Sequence, residues 1–239
     1  MINNEVDTLF SDIFVNSPWI KLQSHNWNCL KDAAKLKYYK KNTILYNSNQ
    51  FNKYVYIVDS GRVELSIVSI NGCKKVIGIC DKDSMFGELP IFDNKTNFCT
   101  ARVCSNASIY EIEPGMFMEK LLSNKILLLS ILESLTSKIR ILYTQVEFLA
   151  FHSAAERVAL VLLSMCKDYG KKESKGYRIA ISFSHNDIAN MTGLSRVSVT
   201  NTLLKFMDEN ILYKDSKNYI ISDLEKLKSY LNNDLNMLL

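Results

Sequence analysis

The sequence predicts an α+β fold in three parts: short antiparallel strands, one long helix, and a helix-turn-helix followed by a β-hairpin. Three observations predict it. Apolar residues alternate with a period of two in several segments between residues 38 and 112, which is typical of strands. From Leu128 to Leu149 they recur at spacings of four and three, which indicates a helix. Residues 184–210 are typical of two short capped helices joined by a glycine turn.

The composition is that of an ordinary soluble globular protein, with 47% hydrophobic and 23% charged residues among 239. The net charge of +4 permits nucleic-acid binding but does not by itself indicate it. No apolar run approaches the roughly 20 residues that a membrane-spanning helix needs, so we expect no membrane partner. The N-terminus lacks the basic and apolar regions of a signal peptide. We therefore expect a cytoplasmic protein with reduced thiols.

Six cysteines and three histidines raise the question of a metal or redox site. They are Cys29, Cys73, Cys80, Cys99, Cys104 and Cys166, with His25, His152 and His185. No C-x-x-C pair is present, whereas zinc and iron–sulfur sites use closely clustered ligands. We therefore expect no metal and no bound cofactor, and we expect the cysteines to be small buried or half-buried side chains.

The first half of the chain predicts a small barrel or sandwich. Residues 1–35 are polar with scattered apolar anchors, and we expect them to be helical. Strands are expected from Tyr38 onward, because apolar and polar residues alternate there and are interrupted by turn sequences at residues 59–61 and 71–72. A further strand is expected over residues 101–112. Several short strands at this spacing are typical of small β-barrels and sandwiches.

The long helix carries an apolar seam with heptad spacing. Its members are Leu128, Leu132, Leu135, Ile139, Leu142, Val146 and Leu149. Such a seam favours pairing with a second copy of the chain, and the alternative is a long core helix that does not dimerise. Ser153 and Glu156 form a capping box that opens another helix, so we expect a hinge at residues 150–153. Beyond it, residues 171–176 predict a polar loop.

The helix-turn-helix is predicted from its caps and its buried positions. Ser184 and Asp187 can cap the first helix reciprocally, Gly193 suits the turn, and Ser195 caps the second helix. The apolar positions expected to face inward are Ile188, Ala189 and Met191, then Val199, Leu203 and Phe206. Residues 211–222 then predict a strand, a turn and a strand, which form a wing, and residues 224–239 predict a closing helix.

The outer face of the second helix is suited to base edges and phosphate oxygens, because it presents hydroxyl, amide and basic groups. The candidate DNA-binding residues are Ser184, His185, Ser195, Arg196, Val197, Ser198, Thr200 and Asn201. The alternative is an ordinary helical hairpin whose polar face is simply solvated. Motifs of this length also occur by chance, so their context along the chain decides between the two.

Four motifs in this order resemble the Crp/Fnr family of bacterial transcription regulators. They are Gly61–Leu65, Phe86–Phe92, Leu149–Phe151 with Glu156–Ala159, and Gly193–Arg196 with Val199. The resemblance implies a cyclic-nucleotide-binding-like jelly roll over residues 1–115, a dimerisation helix and hinge over 116–152, and a winged helix-turn-helix over 153–239. It also implies a homodimer that binds a palindromic double-stranded operator, and it leaves a contact with RNA polymerase open.

The candidate effector pocket departs from the family's pattern for cyclic AMP. The resemblance places it at Gly87, Glu88, Leu89, Phe98, Cys99, Thr100, Leu142 and Tyr143. Phe98 and Cys99 stand where the family's Arg-Ser pair binds the cyclic phosphate, and a phenyl ring cannot neutralise a phosphate. Leu142 and Tyr143 stand where the family's Thr-Ser pair meets adenine. We therefore expect no cyclic-AMP response. A non-nucleotide effector, a thiol sensor and a pocket filled by side chains remain open.

The reading face also departs from the family's commonest pattern. Val197 stands where several members carry a Glu that accepts from cytosine, and Asn201 stands where they carry an Arg for guanine. Asn201 suits adenine and Val197 suits a thymine methyl, while Arg196 keeps a guanine or phosphate contact. The sequence thus predicts an A·T-richer palindrome with half-sites about one helical turn apart. The rival hypotheses are a module that acts through protein contacts and an enzyme, and no catalytic constellation supports the second.

Overall fold

A computed structural model describes residues 19–20, 27–216 and 218–231. The chain divides into two compact units, one that ends at Gln145 and one that begins at Val146. This division falls inside the long helix, whereas the sequence places its boundaries at 115/116 and 152/153. Those three parts remain a prediction. Among the described residues, no helix is both long enough and apolar enough to span a membrane.

The first unit is built on a seven-stranded sheet. Its strands are β1 (Trp19–Ile20), β2 (Lys35–Tyr39), β3 (Ile44–Tyr46), β4 (Val55–Val68), β5 (Lys74–Cys80), β6 (Met85–Phe86) and β7 (Thr100–Ile112). Five of them follow the order β1-β5-β4-β7-β2, while β3 pairs with β7 and β6 pairs with β4. The strand predicted over residues 101–112 is therefore confirmed. Strand β1 corrects part of the helical prediction for residues 1–35, because it pairs in parallel with β5. Most of that segment lies outside the described residues.

The first unit also contains helices. They are α1 (Asn28–Lys31), α2 (Leu89–Asp93), α3 (Pro114–Ser123) and the long α4 (Lys125–Phe151), which continues beyond the first unit. Between α3 and α4, the side chain of Asn124 accepts hydrogen bonds from the amides of Ile126 and Leu127 at 3.0 and 3.1 Å. These bonds satisfy amides that begin a helix and would otherwise have no partner. The long helix therefore begins directly after Asn124, the single residue that separates it from α3.

Two stretches of strand β4, residues 55–58 and 63–66, are buried on both faces, which the sequence pattern did not predict. Residues 55–58 are all buried, so the period-two alternation there does not separate an inner from an outer face. Glu64 is also buried, and it forms ion pairs with Lys74 and with Arg102, the latter at 3.4 Å. Charged residues at such depth are rare unless they are paired, and these two partners explain why a carboxylate lies within the sheet.

The second unit packs helices against a four-stranded sheet of order β10-β11-β9-β8. Its elements are α5 (Ala154–Tyr169), β8 (Gly170–Glu173), β9 (Gly176–Ile179), α6 (His185–Thr192), α7 (Arg196–Asp208), β10 (Leu212–Asp215), β11 (Asn218–Ile221) and α8 (Leu224–Ser229). The loop predicted over residues 171–176 is wrong, because most of it belongs to the β8–β9 hairpin and β9 pairs with β11. The wing and a closing helix are present, and residues 232–239 lie outside the described part of the chain.

Candidate DNA-binding surface and effector cavity

The caps predicted for the two short helices are present. The amide of Ser184 donates to the carboxylate of Asp187 at 2.8 Å, and the amide of Asp187 donates back to the Ser184 hydroxyl at 3.2 Å. Gly193 ends α6 with φ of 70°, a conformation that glycine adopts without steric cost. Ser195 accepts from the amide of Ser198 at 3.0 Å and so caps α7. These hydrogen bonds fix the turn between the two helices.

One face of the helix-turn-helix is buried and the other is exposed. Five of the six positions predicted to face inward are buried: Ile188, Ala189, Val199, Leu203 and Phe206. The sixth, Met191, is half-buried. Thr192, which was not predicted, is fully buried. Arg196 and Asn201 lie on the exposed face, and Val197 is 68% exposed. An apolar side chain with that exposure, between basic and amide groups, has the geometry of a contact surface rather than of a core position.

His185 connects the recognition-type helix α7 to the wing. Its Nδ1 lies 2.8 Å from Oγ1 of Thr200, and its Nε2 lies 2.9 Å from the hydroxyl of Tyr219. The Thr200 hydroxyl also lies 2.9 Å from the carbonyl of Arg196, and when it donates there its oxygen accepts from the imidazole. His185 and Thr200 are therefore engaged inside the unit, whereas the sequence placed both on the DNA-contacting face.

A basic concavity of about 370 Å³ lies beside this network. Its lining consists of Phe183, Ser184, His185, Asn186, Arg196, Lys214 and Tyr219. Lys214 and Tyr219 come from the wing and were not among the sequence candidates. Lys214 lies over the ring of Tyr219, with Nζ 6.0 Å from the ring centroid, and Phe183 stacks on the same ring. The wing therefore adds a cation to a surface that already contains Arg196.

The wing is held in place by an arginine of the neighbouring hairpin. Arg178 in β9 donates to the carboxylate of Glu173 at 2.6 Å and to that of Asp215 at 2.5 Å. The hydrogen bond from the Arg178 guanidinium depresses the pKa of the Asp215 carboxyl below its ordinary value. Because these charges are exposed, we expect them to orient the hairpins more than to stabilise the fold.

The predicted hinge is tied to the end of α4. The guanidinium of Arg157 donates to the carbonyls of His152 and Leu149, at 2.9 and 2.8 Å. These carbonyls end a helix and need partners from elsewhere. The capping box of Ser153 and Glu156 opens α5 as predicted. Both sides of the hinge are thus fixed by side chains of α5.

The apolar seam of α4 is exposed along most of its length. Six of its seven members are exposed, including Leu132 at 51% and Val146 at 65%, while Leu135 packs partly against the core of the first unit. A helix with a continuous exposed apolar stripe is typical of an interface.

A cavity of about 270 Å³ lies between the sheet of the first unit and α4. Six predicted pocket residues line it: Gly87, Glu88, Leu89, Phe98, Cys99 and Leu142. Tyr143 is exposed, and the Thr100 hydroxyl accepts from the amide of Ser48 at 3.1 Å; neither lines the cavity. Most of the remaining lining is apolar, from Tyr46, Leu65, Ile77, Phe86, Leu135, Ile139 and Ile141.

The charged part of the cavity is an ion pair that the sequence did not reveal. Nζ of Lys138 lies 2.5 Å from Oε1 of Glu88, and the two side chains are 14% and 1% exposed. Lys138 projects from α4 and is separated from Glu88 by 50 residues, so only the folded chain brings them together. Because the lysine is already neutralised by a protein carboxylate, the cavity holds no excess positive charge at this point.

The thiol in the cavity is protected rather than activated. Burial raises the pKa of Cys99 to about 11, even though Tyr46 hydrogen-bonds its sulfur. Burial also raises the pKa of the nearby Cys80 thiol. Because the thiolate is the reactive form of cysteine, these shifts disfavour thiol chemistry at neutral pH. They argue against the thiol-sensor alternative.

Comparisons with known proteins agree with this architecture. Residues 36–124 match the model of the cyclic nucleotide-binding domain, and residues 156–230 match that of the Crp-like helix-turn-helix domain. The chain is 30% identical over 152 residues to the global nitrogen regulator of Synechococcus elongatus, covering 62% of this chain and 68% of that protein. It is 21% identical over 201 residues to the anaerobic regulatory protein of Bacillus subtilis, covering 84% of each.

A solved structure shows the same fold. The c-di-GMP-responsive global regulator CLP of Xanthomonas campestris superposes with a TM-score of 0.74 at 18% identity, covering 82% of this chain and 97% of that one. A nucleotide-binding-type domain followed by a winged helix-turn-helix defines a class of DNA-binding transcription regulators. Within that class, this chain belongs to the Crp/Fnr family.

Proposed function

We propose that this regulator acts as a homodimer that binds a palindromic, A·T-rich operator. The exposed seam of α4 supports the dimer, because its apolar side chains recur with heptad spacing and lack a covering element within the described part of the chain. A two-fold symmetric pair of recognition helices would read half-sites about one helical turn apart.

The reading face of α7 supports direct contact with base edges. Arg196 and Asn201 are exposed and lie about 1.4 turns apart along α7, with Val197 between them in the sequence. Arg196 suits guanine or a phosphate, Asn201 suits adenine, and Val197 suits the methyl group of thymine. Ser184, Ser195 and Ser198 lie at the helix N-termini, where amides and hydroxyls are suited to phosphate oxygens.

Replacing Arg196 by Ala should weaken operator binding by about 1–3 kcal/mol if the guanidinium reads a base edge. The operator would first be found by genome-wide mapping of binding sites, and affinities would then be measured by gel shift over a salt series. Lys41→Ala is the matched control, since it also removes one exposed cation but lies in the first unit. An affinity unchanged by Arg196→Ala would refute the reading role.

The same salt series separates this proposal from its rival. A regulator that contacts DNA phosphates must lose affinity steeply as salt rises, because binding releases condensed counterions. A module that acts through protein contacts would bind no duplex even at low salt. That outcome would remove the DNA-binding proposal itself.

We infer that cyclic AMP is not the effector. The cavity is mostly apolar, Lys138 is neutralised by Glu88, and Arg102 is paired with Glu64. A cyclic phosphate bound at Phe98 would therefore lose its hydration without gaining a cation. Calorimetric titration with cyclic AMP should show no binding in the micromolar range, and a micromolar dissociation constant would contradict the inference.

A non-nucleotide, mostly apolar effector suits the cavity better. The partner helix of a dimer would lie next to the cavity, because Ile139 and Leu142 belong to both the seam and the lining. An effector could thus bias the hinge by changing how the two helices pair. We place the protein in the cytoplasm with duplex DNA as its partner, we leave a contact with RNA polymerase open, and we assign it no enzymatic activity.

A further inference from the structure

The hydrogen bonds around His185 link the wing to the recognition-type helix α7. If the Thr200 hydroxyl donates to the carbonyl of Arg196, its oxygen accepts a proton carried by the Nδ1 of His185. In the neutral imidazole, Nε2 then carries no proton and accepts from the hydroxyl of Tyr219. The chain of donors runs from the wing, through the imidazole, to the first turn of the recognition helix.

The charges around His185 oppose its protonation in the free protein. Burial, followed by Lys214 of the wing and Arg196 of α7, lowers the pKa of His185. On its own helix, the Asp187 carboxylate is occupied by the amide and hydroxyl of Ser184, both at 2.8 Å. The lining of the concavity, within the described residues, contributes two cations and no carboxylate.

We propose that His185 is a proton-linked positioning residue: a DNA phosphate bound in the concavity beside Arg196 and Lys214 is accompanied by uptake of a proton at His185. This inference rests on the proposed DNA binding and goes beyond it. A phosphate placed between the two cations offsets the charges that oppose protonation. An added proton on Nε2 turns that atom into a donor, and the Tyr219 hydroxyl must then find a new acceptor, which a phosphate oxygen supplies.

The sign of the linkage follows from this exchange. If the pKa of His185 is higher in the complex than in the free protein, the complex binds more protons between those two values. DNA affinity then rises as the pH falls from the pKa of His185 in the complex toward its pKa in the free protein. The pKa in the free protein lies below the ordinary histidine value of about 6.5. Each unit of difference between the two pKa values changes the affinity by at most about tenfold.

The test measures DNA affinity against pH in the full-length protein. A labelled non-specific duplex at low salt is sufficient, since phosphate contacts do not depend on sequence. Wild-type affinity should rise several-fold, up to about tenfold, between about pH 8 and pH 5.5. His185→Asn keeps a donor at the position of Nδ1 and removes the titration, so its affinity should follow a flatter profile. His152→Gln, which removes a histidine outside the concavity, should keep the wild-type profile.

A second measurement uses the wild-type protein alone. Nuclear magnetic resonance titration of the His185 ring should give a higher pKa with the duplex than without it. Equal pKa values, or equal pH profiles for the wild type and His185→Asn, would overturn the inference and leave DNA binding intact. If the wild type binds no duplex at any pH, the DNA-binding proposal fails and this inference fails with it.

Discussion

At the scale of single residues, the most informative contact is the buried pair of Glu88 and Lys138. A charge taken out of water is costly, and its partner compensates only while both are present. The pair connects α4 to the segment that precedes α2, at the wall of the candidate effector cavity. An effector that disturbs either side chain would therefore act directly on the long helix.

Removing one member of this pair should destabilise the protein by about 3–5 kcal/mol, because the other charge is left buried alone. Lys138→Met is the single variant, and Glu88→Leu with Lys138→Met should recover much of the loss. Chemical denaturation monitored by circular dichroism gives the free energies of unfolding. The control is Lys35→Ala, which breaks the exposed pair with Glu113 and should cost at most about 1 kcal/mol. Similar losses for Lys138→Met and Lys35→Ala would contradict this account.

The sequence predicted the contacts of single residues only where the two partners lie close together along the chain. The caps at Ser184, Ser195 and Ser153 were predictable, since each cap and its partner lie three residues apart. Lys138 and Lys214 were missed, because their partners and neighbours are brought close only by the fold. His185 was assigned to phosphate positioning, since the sequence does not show that Thr200 and Tyr219 lie within hydrogen-bond distance of its two ring nitrogens.

At the scale of elements, strand β4 shows how a turn sequence can belong to a strand. The Asp59-Ser60-Gly61 sequence predicted a break between two strands, but β4 runs without interruption from Val55 to Val68. The pairing with β7 shifts register around Ser60 and Arg62, so the ladder between the two strands is irregular there. Gly61 has φ of +83°, and the strand passes through this position because no side chain is present.

Gly61→Ala should destabilise the protein beyond the ordinary range of about 0.5–3 kcal/mol for single substitutions. A Cβ there would lie 2.2 Å from the carbonyl oxygen of Asn106, in addition to the unfavourable φ. Gly72→Ala is the matched control, since its φ is +78° but a Cβ would meet nothing within 4 Å. It should cost only about 1–2 kcal/mol, the ordinary penalty of that conformation. Thermal unfolding of both variants provides the comparison, and equal losses would be inconsistent with the backbone clash.

The remaining elements were predictable in proportion to their length and periodicity. The long helix, the two helices of the helix-turn-helix and the wing follow from strong local patterns, and the structure contains all of them. The β8–β9 hairpin was missed, because its strands are short and polar and are fixed by pairing with β11, about 40 residues later. Burial of β4 on both faces also depends on what packs over it, and its own sequence does not show this.

At the scale of the whole molecule, the order of the parts carried the functional prediction. A sheet domain, a long seam-bearing helix, a capped hinge and a winged helix-turn-helix were each predicted separately, and together they indicated the family to which the chain belongs. The pairing of two copies along α4 is the physical basis of the proposed activity, because one recognition helix alone covers only half of a palindrome.

The most direct test is sedimentation of the wild type and of Leu132→Glu, with DNA affinity measured on the same samples. The wild type should sediment as a dimer. Leu132→Glu should sediment as a single copy and lose most of its affinity for an inverted repeat, since a carboxylate in the seam opposes pairing. Ile44→Glu is the control, because Ile44 is exposed to almost the same extent as Leu132, 52% against 51%, but lies on β3. A wild-type protein that remains a single copy when concentrated, or a Leu132→Glu variant that still binds the inverted repeat fully, would contradict the account.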